Sequence, residues 1–161
     1  KVNKDITAPN ITSIDTSGNY STEKASITYT ISEVAKVTVQ VKNSKGKVIA
    51  TPTDTKSLKK GSQSATWNFK NVSNGTYTVT ITAKDASNNQ RTVSKKISIK
   101  KTTGKVTASV LNIREKTNTS SKIVGKLKKN QTVTILAQQG DWYKIKNGSQ
   151  IGYVSKKYVT K

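Results

Sequence analysis

The chain has 161 residues, of which 32% are hydrophobic, and it contains no cysteine or histidine. This length allows one medium domain or two small ones, and the lack of cysteine excludes disulfides and thiol chemistry. Apolar residues alternate with polar ones over many short runs, and no run approaches the roughly 20 residues of a membrane-spanning helix. The sequence therefore predicts an all-β chain without membrane insertion.

The formal net charge of +21 comes from 27 lysines and two arginines against eight acidic residues. A field of lysines attracts anionic polymers without reading their sequence, whereas proteins that read nucleic-acid bases favour arginine. Nucleic acid, an anionic membrane surface and the phosphate-rich polymers of a Gram-positive wall would all satisfy this charge. Codon drift in an AT-rich genome also produces lysine, but it does not explain the scarcity of acidic residues. The sequence alone does not decide whether the lysine excess is functional.

Seven short strand-like runs precede residue 101, and in several of them apolar residues recur at every second position. The alternation places Ile27, Tyr29 and Ile31 on one face, and turn signals such as "NSKG" and "SNG" separate the runs. This spacing predicts a β-sandwich over residues 1–101. The runs are "NITSI", "ASITYTIS", "KVTVQVK", "KVIAT", "SATWNFKNV", "TYTVTITAKD" and "RTVSKKISIK".

Three features of this segment carry a family resemblance: the opening "DITAPNI", the single Trp67, and "NGTYTVTITAKDASNN". With them, the segment resembles the bacterial immunoglobulin-like domains that occur in tandem on exported proteins. Tyr77 follows the Gly75 turn, where such sandwiches carry a tyrosine corner. The resemblance implies a spacer or adhesive stalk. Because "KVNKDITAPNI" reads as an inter-domain joint, we expect the chain to be the tail of a longer protein with an upstream domain.

Residues 104–161 contain, in order, "LNIR", "SSKIVGKL", "QTVTIL", "GDWYKI" and "GYVSKKYV". This succession resembles a bacterial SH3 (SH3b) domain and implies a small SH3-like β-barrel. "NG" at residues 147–148 predicts a hairpin, Gly152 permits a bend in the next strand, and the short "KKTTGK" before the domain predicts limited hinge motion. The predicted core consists of Leu111, Ile113, Val124, Val133, Ile135 and Ile145.

Aromatic residues in this second segment are candidates for ligand contact. Trp142 and Tyr143 are adjacent, so they face opposite ways in a strand, and Tyr143 shares its face with Ile145. Trp142 is then expected to point outward, where an indole can stack on a sugar face or cover a peptide backbone, or can merely cover the protein surface. Tyr153 and Tyr158 either line a groove or seal the barrel end.

Polar residues near the long loop are the second set of candidates. Asn112 and Arg114 share a strand face and either hold the loop or bond a carbonyl or carboxylate of a stem peptide. Alternatively, Arg114 only forms a local surface ion pair with Glu115 or Asp141. Lys116 belongs to a group of loop lysines that form either a solvated face or an attraction for anions. The predicted ligand-binding residues are Trp142, Tyr153, Tyr158, Asn112, Arg114 and Lys116.

Catalysis is not expected from this composition. Without histidine and cysteine, the chain lacks the usual general base, thiol nucleophile and zinc ligand. The eight carboxylates look thinly spread, with no clustered pair, and Asp5, Asp15 and Asp85 are assigned to loops with turn and cap roles. Glu33, beside a strand end, is the one acid placed to assist a Lys–Asn isopeptide bond. We expect no catalytic residue, metal site or cofactor.

The resemblance implies a non-catalytic module that binds peptidoglycan, with teichoic acids as a second wall partner, in a secreted protein of the cell wall. The sandwich would hold this module away from an upstream domain, most often in this family a cell-wall hydrolase. An alternative is a surface adhesin or structural stalk that binds a protein or host ligand. Nonspecific nucleic-acid binding is a third, disfavoured because arginine and regularly spaced aromatics are scarce.

Overall fold

The computed structural model describes residues 3–161, and Lys1 and Val2, the first residues of the predicted inter-domain joint, lie outside the described residues. The chain divides into two compact units, one ending at Ile99 and one spanning Lys100–Lys161. Over the described range the structure consists of strands and a single 3-10 turn, which confirms the all-β prediction. No helix in that range is long and apolar enough to cross a membrane.

Between residues 3 and 99 the first unit contains seven strands in two antiparallel sheets, as many strands as the sequence predicts. One sheet has the order β1-β2-β5 and the other β4-β3-β6-β7, the strand arrangement of an immunoglobulin-like sandwich. The strands are β1 (Ile11–Asn19), β2 (Lys24–Ile31), β3 (Ala35–Lys42), β4 (Val48–Leu58), β5 (Gly61–Asn68), β6 (Gly75–Lys84) and β7 (Gln90–Ile99).

The core of the sandwich lies between these sheets and follows the predicted alternation. Ile27, Tyr29 and Ile31 are buried from one sheet, and the inward residues of β3 and β6 are buried from the other. The Trp67 and Tyr77 rings meet edge to face with centroids 5.4 Å apart. Packing alone therefore holds the domain without a disulfide, as the sequence predicts.

The predicted tyrosine corner is present at the start of β6. The Tyr77 hydroxyl donates a hydrogen bond of 2.8 Å to the backbone carbonyl of Ser73, four residues upstream. This contact fastens the turn before β6 to the strand itself. A second buried tyrosine, Tyr29, has a hydroxyl without a hydrogen-bond partner in the described part of the chain.

These two tyrosines provide a matched pair of substitutions. Tyr77→Phe is expected to lower the free energy of unfolding of the first unit by about 1 kcal/mol, because the Ser73 carbonyl loses its partner. Tyr29→Phe removes a buried hydroxyl that bonds nothing, so unfolding should be unchanged or slightly harder. Urea denaturation of both variants checks this, and a larger loss for Tyr29→Phe than for Tyr77→Phe would contradict it.

Tyr29 also predicts an alkaline effect. Burial raises the pKa of its phenol above the ordinary value of 10.0. Ionisation of the phenol is harder in the folded state than in the unfolded chain. The folded state therefore keeps its full stability below pH 10 and loses stability as the pH rises further. Denaturation midpoints measured against pH should fall more steeply above about pH 10 in the wild type than in Tyr29→Phe.

The second unit is one seven-stranded antiparallel sheet with the order β10-β9-β13-β12-β11-β8-β14. Its first strand, β8, pairs with β11 and contains Thr102 and Thr103. Four of the six residues of the predicted linker "KKTTGK", residues 102–105, therefore belong to the sheet. The elements are β8 (Thr102–Val106), β9 (Val110–Arg114), β10 (Ile123–Lys128), β11 (Thr132–Gln139), β12 (Trp142–Asn147), β13 (Gln150–Ser155), a 3-10 turn (Lys156–Tyr158) and β14 (Val159–Thr160).

The core of the second unit contains five of the six residues predicted for it. Val124 is the exception, since it is only partly buried and packs against the cluster from its margin. Sequence reasoning left out several other core residues, although the alternation within β13 marks Val154. The buried cluster consists of Val106, Leu111, Ile113, Leu127, Val133, Ile135, Tyr143, Ile145, Val154 and Val159.

Two glycines shape the strands on which the candidate residues lie. Gly148 has a φ of +60° in the turn between β12 and β13, so the predicted hairpin is present. Gly152 lies where β9 comes close to β13: a β-carbon there would be 2.4 Å from Cγ2 of Ile113 and 2.9 Å from the Arg114 carbonyl oxygen. Close approach of β9 therefore gives Gly152 a role beyond the predicted bend.

Candidate functional site

Strand register brings four of the six predicted ligand-binding residues onto one face of the second unit, here called the sheet face. In its first row, Arg114 of β9 pairs with Tyr153 of β13, and Tyr153 pairs with Lys144 of β12. The row continues to Ile123 on one side and Ala137 on the other. Cross-strand neighbours of this kind have β-carbons about 4.5–5.5 Å apart.

The second row lies one step along the same strands. Trp142 pairs with Ser155, and Lys126 pairs with Asn112. Asn112 is two residues before Arg114 and Ser155 two residues after Tyr153, so antiparallel pairing sets them opposite each other. Gln139, which pairs with Trp142, completes this row.

Burial shows that these rows face outward. Asn112 and Arg114 are partly exposed, while the residues between and before them, Ile113 and Leu111, are buried. The same alternation on β12 leaves Trp142 and Lys144 partly exposed and buries Tyr143. The prediction that Tyr143 is a core residue and Trp142 projects outward is confirmed.

Arg114 and Lys116 organise the long loop between β9 and β10. The Arg114 guanidinium donates a 2.8 Å hydrogen bond to the Ser121 carbonyl, and the Lys116 backbone N–H donates a 2.9 Å hydrogen bond to the Ser121 hydroxyl. The loop-holding alternative for Arg114 is therefore confirmed. The side chain of Lys116 is exposed at the margin of the sheet face.

Tyr158 occupies a different position from Tyr153. It lies on the 3-10 turn, 40% exposed, with the Lys157 ammonium 5.8 Å from its ring centroid. No strand pairing within residues 3–161 ties it to either row of the sheet face. Register therefore groups Tyr153 with Trp142 and leaves Tyr158 apart.

The second unit is strongly basic. Residues 100–161 contain fourteen lysines and arginines and only two acidic residues, Glu115 and Asp141. Asp141 pairs with the Lys156 ammonium at 3.0 Å. None of the residues named in the two rows is acidic. The sheet face therefore presents aromatic rings, an amide and ammonium groups without an intervening carboxylate.

The expectation that the acids do not cluster is wrong for the first unit. Carboxylate oxygens of Asp5, Glu33 and Asp85 lie within 4.8 Å of one another. The three residues flank the start of β1 and the ends of β2 and β6, which antiparallel pairing brings to one end of the sandwich. Such a set is compatible with a hard cation like Ca²⁺. Sequence spacing gives no sign of it, because only the topology brings the residues together.

Two of these three carboxylates, those of Asp5 and Asp85, accept hydrogen bonds from nearby residues in the chain. Burial by itself raises the pKa of Asp85, but hydrogen bonds from the side chain and backbone of Asn89 and from neighbouring backbone groups outweigh it and lower that pKa. Asp5 accepts the backbone N–H of Thr7 at 2.9 Å. The predicted turn roles of Asp5 and Asp85 are confirmed. Asp15, predicted in a loop, instead lies within β1.

Comparisons with known proteins agree with both units. The model of the FlgD Ig-like domain matches residues 13–87, and the model of the bacterial SH3 domain matches residues 109–160. A relative among curated proteins, bacteriocin BCN5 of Clostridium perfringens, is 45% identical over 51 residues, which are 32% of this chain and 6% of that protein. The chain thus carries an immunoglobulin-like domain followed by a bacterial SH3 domain.

Proposed function

We propose that this chain binds peptidoglycan without catalysis and so attaches an exported bacterial protein to the cell wall. The observation that carries the proposal is the outward grouping of Trp142, Tyr153 and Asn112 on one face of a bacterial SH3 domain. Both matched domains are non-catalytic modules. The bacteriocin match supports a bacterial setting, with such a segment as a small part of a long protein.

In this proposal, the indole of Trp142 stacks on a sugar or covers a peptide unit, with the Tyr153 ring beside it. Asn112 offers an amide donor and acceptor to the ligand, and Arg114 keeps the loop in place while presenting its remaining N–H groups. Lys116 and Tyr158 add contacts at the margin. The sandwich acts as a spacer, and weak anchoring raises the local concentration of a joined upstream domain, such as a wall hydrolase, at its insoluble substrate.

The lysines of the second unit add a longer-range attraction to teichoic acids. Exposed ammonium groups interact with phosphate through a field that salt screens over about 8 Å at physiological ionic strength. This contribution should fade in high salt, whereas stacking on the sheet face should persist. The two components of wall binding can therefore be separated experimentally.

A second candidate function is a surface stalk or adhesin that binds a protein or host ligand. Its support is the seven-stranded sandwich, which makes up the larger of the two units. In that case the second unit serves assembly, and the chain would not be retained on purified peptidoglycan.

Sedimentation with purified sacculi tests the proposal. The 161-residue chain should co-sediment with sacculi stripped of teichoic acids, and this fraction should survive high salt. Retention only on teichoic-acid-bearing walls at low salt would reduce binding to charge attraction. Failure to bind either material would favour the stalk or adhesin.

A further inference from the structure

We infer that Lys144 makes the sheet face selective for a ligand with a free carboxylate: a peptide carboxylate of the murein binds the Lys144 ammonium beside Trp142 and Tyr153. This inference rests on the proposed function and goes further, because it names the chemical group that the face selects. It depends on the position of Lys144, on its lack of a partner and on the absence of acids from its surroundings.

Lys144 occupies the middle of the sheet face. It pairs across the sheet with Tyr153 on one side and Ala137 on the other, and Trp142 precedes it by two residues on the same strand. Its side chain is only partly exposed. An anion bound to this ammonium would therefore lie next to the two aromatic rings.

The Lys144 ammonium makes no hydrogen bond and no ion pair with the described residues. The two carboxylates of the second unit are not its partners: Asp141 pairs with Lys156, and Glu115 lies exposed beyond the end of β9. The Lys144 ammonium is therefore available to a negatively charged group of a ligand.

A single carboxylate fits this place better than a long polyanion. A lysine is a compact charge with three donors, and the neighbouring phenol of Tyr153 offers one more, enough for the two oxygens of one carboxylate. A polyphosphate chain would use exposed lysines such as Lys105, on β8, as readily as Lys144. If ligand affinity depends on Lys144 and not on other exposed lysines, the face has a carboxylate site. If all exposed lysines matter equally, the attraction comes from their combined charge.

The test compares two forms of one soluble muropeptide, with its peptide carboxylates free or amidated, against the 161-residue chain by titration calorimetry. The free form should bind about five- to tenfold more tightly, a typical effect of one charge-assisted contact. Lys144→Gln should weaken binding of the free form to within about twofold of the amidated form, while Lys144→Arg keeps most of the preference. Lys105→Gln, the matched control, should leave the preference unchanged.

Equal affinity for the free and amidated muropeptides would overturn the inference while leaving the proposed function intact. So would a preference that Lys144→Gln and Lys105→Gln reduce alike, since that result indicates a general field. If neither the wild type nor any variant bound the muropeptides or sacculi, the proposed function itself would be wrong. In a parallel titration with a teichoic-acid polymer, Lys144→Gln and Lys105→Gln should lose affinity equally. A loss of affinity only in Lys144→Gln would assign the site to phosphate and contradict the carboxylate.

Discussion

Trp142→Ala is expected to weaken retention on stripped sacculi about tenfold to a hundredfold, the range for loss of a central aromatic anchor. Trp142 is the largest side chain of the two rows. It pairs with Ser155, which in turn lies opposite Asn112. Its indole has no equivalent elsewhere on this face, because Trp67, the second tryptophan, is buried in the other unit. The measurement is the fraction of protein bound as sacculus concentration is varied at high salt.

Two controls make this result specific. Trp142→Phe keeps a flat ring and should lose only part of the affinity, and Trp142→Ala should retain a cooperative thermal unfolding transition for the second unit. Wild-type retention by a folded Trp142→Ala protein would show that the indole merely covers the surface. The face would then lose its main support as a ligand site.

Gly152→Ala is expected to destabilise the second unit by about 3 kcal/mol, at the upper end of overpacking effects. A methyl group there meets Cγ2 of Ile113 at 2.4 Å and the Arg114 carbonyl oxygen at 2.9 Å, and the backbone oxygen cannot turn aside as a flexible side chain could. A disulfide-free unit of this size has only about 3–5 kcal/mol of stability from its core. We therefore expect about 0–2 kcal/mol of stability to remain, with a urea midpoint close to zero and weakened wall binding.

Gly148→Ala is the matched control for this effect. Gly148 adopts a left-handed backbone conformation, with a φ of +60°. In contrast to Gly152, a β-carbon added there would have no neighbouring atom within 4 Å outside the adjacent residues. Its replacement should cost about 1 kcal/mol, from backbone conformation alone. Urea denaturation followed by circular dichroism compares the two. Equal losses would show that β9 can shift away from β13, contrary to the close approach described above.

Alternation of apolar and polar residues was sufficient to predict most of this fold. In a strand the side-chain period is two, so the pattern of Leu111 and Ile113 against Asn112 and Arg114 determines which side is buried. The same reasoning separated Tyr143 from Trp142 and predicted the strand count of the sandwich, whereas its tyrosine corner was implied by the family resemblance. These features depend on local sequence, and the structure confirms them.

Features that depend on which strands become neighbours could not be predicted in the same way. Pairing of β9 with β13 joins residues nearly forty positions apart, and it alone sets Arg114 beside Tyr153. The meeting of Asp5, Glu33 and Asp85 has the same origin. β8 was missed for another reason: "TTGKV" has too few apolar residues for alternation to show, and its place in the sheet comes from pairing with β11.

An amide chemical-shift titration of the 161-residue chain with a soluble muropeptide shows whether a murein fragment lies across the sheet face. The largest shifts should fall on both rows, around Asn112, Trp142, Lys144 and Tyr153, while the amides of the sandwich stay unchanged. Shifts confined to the sandwich, or spread evenly over all exposed lysines, would contradict binding at the sheet face.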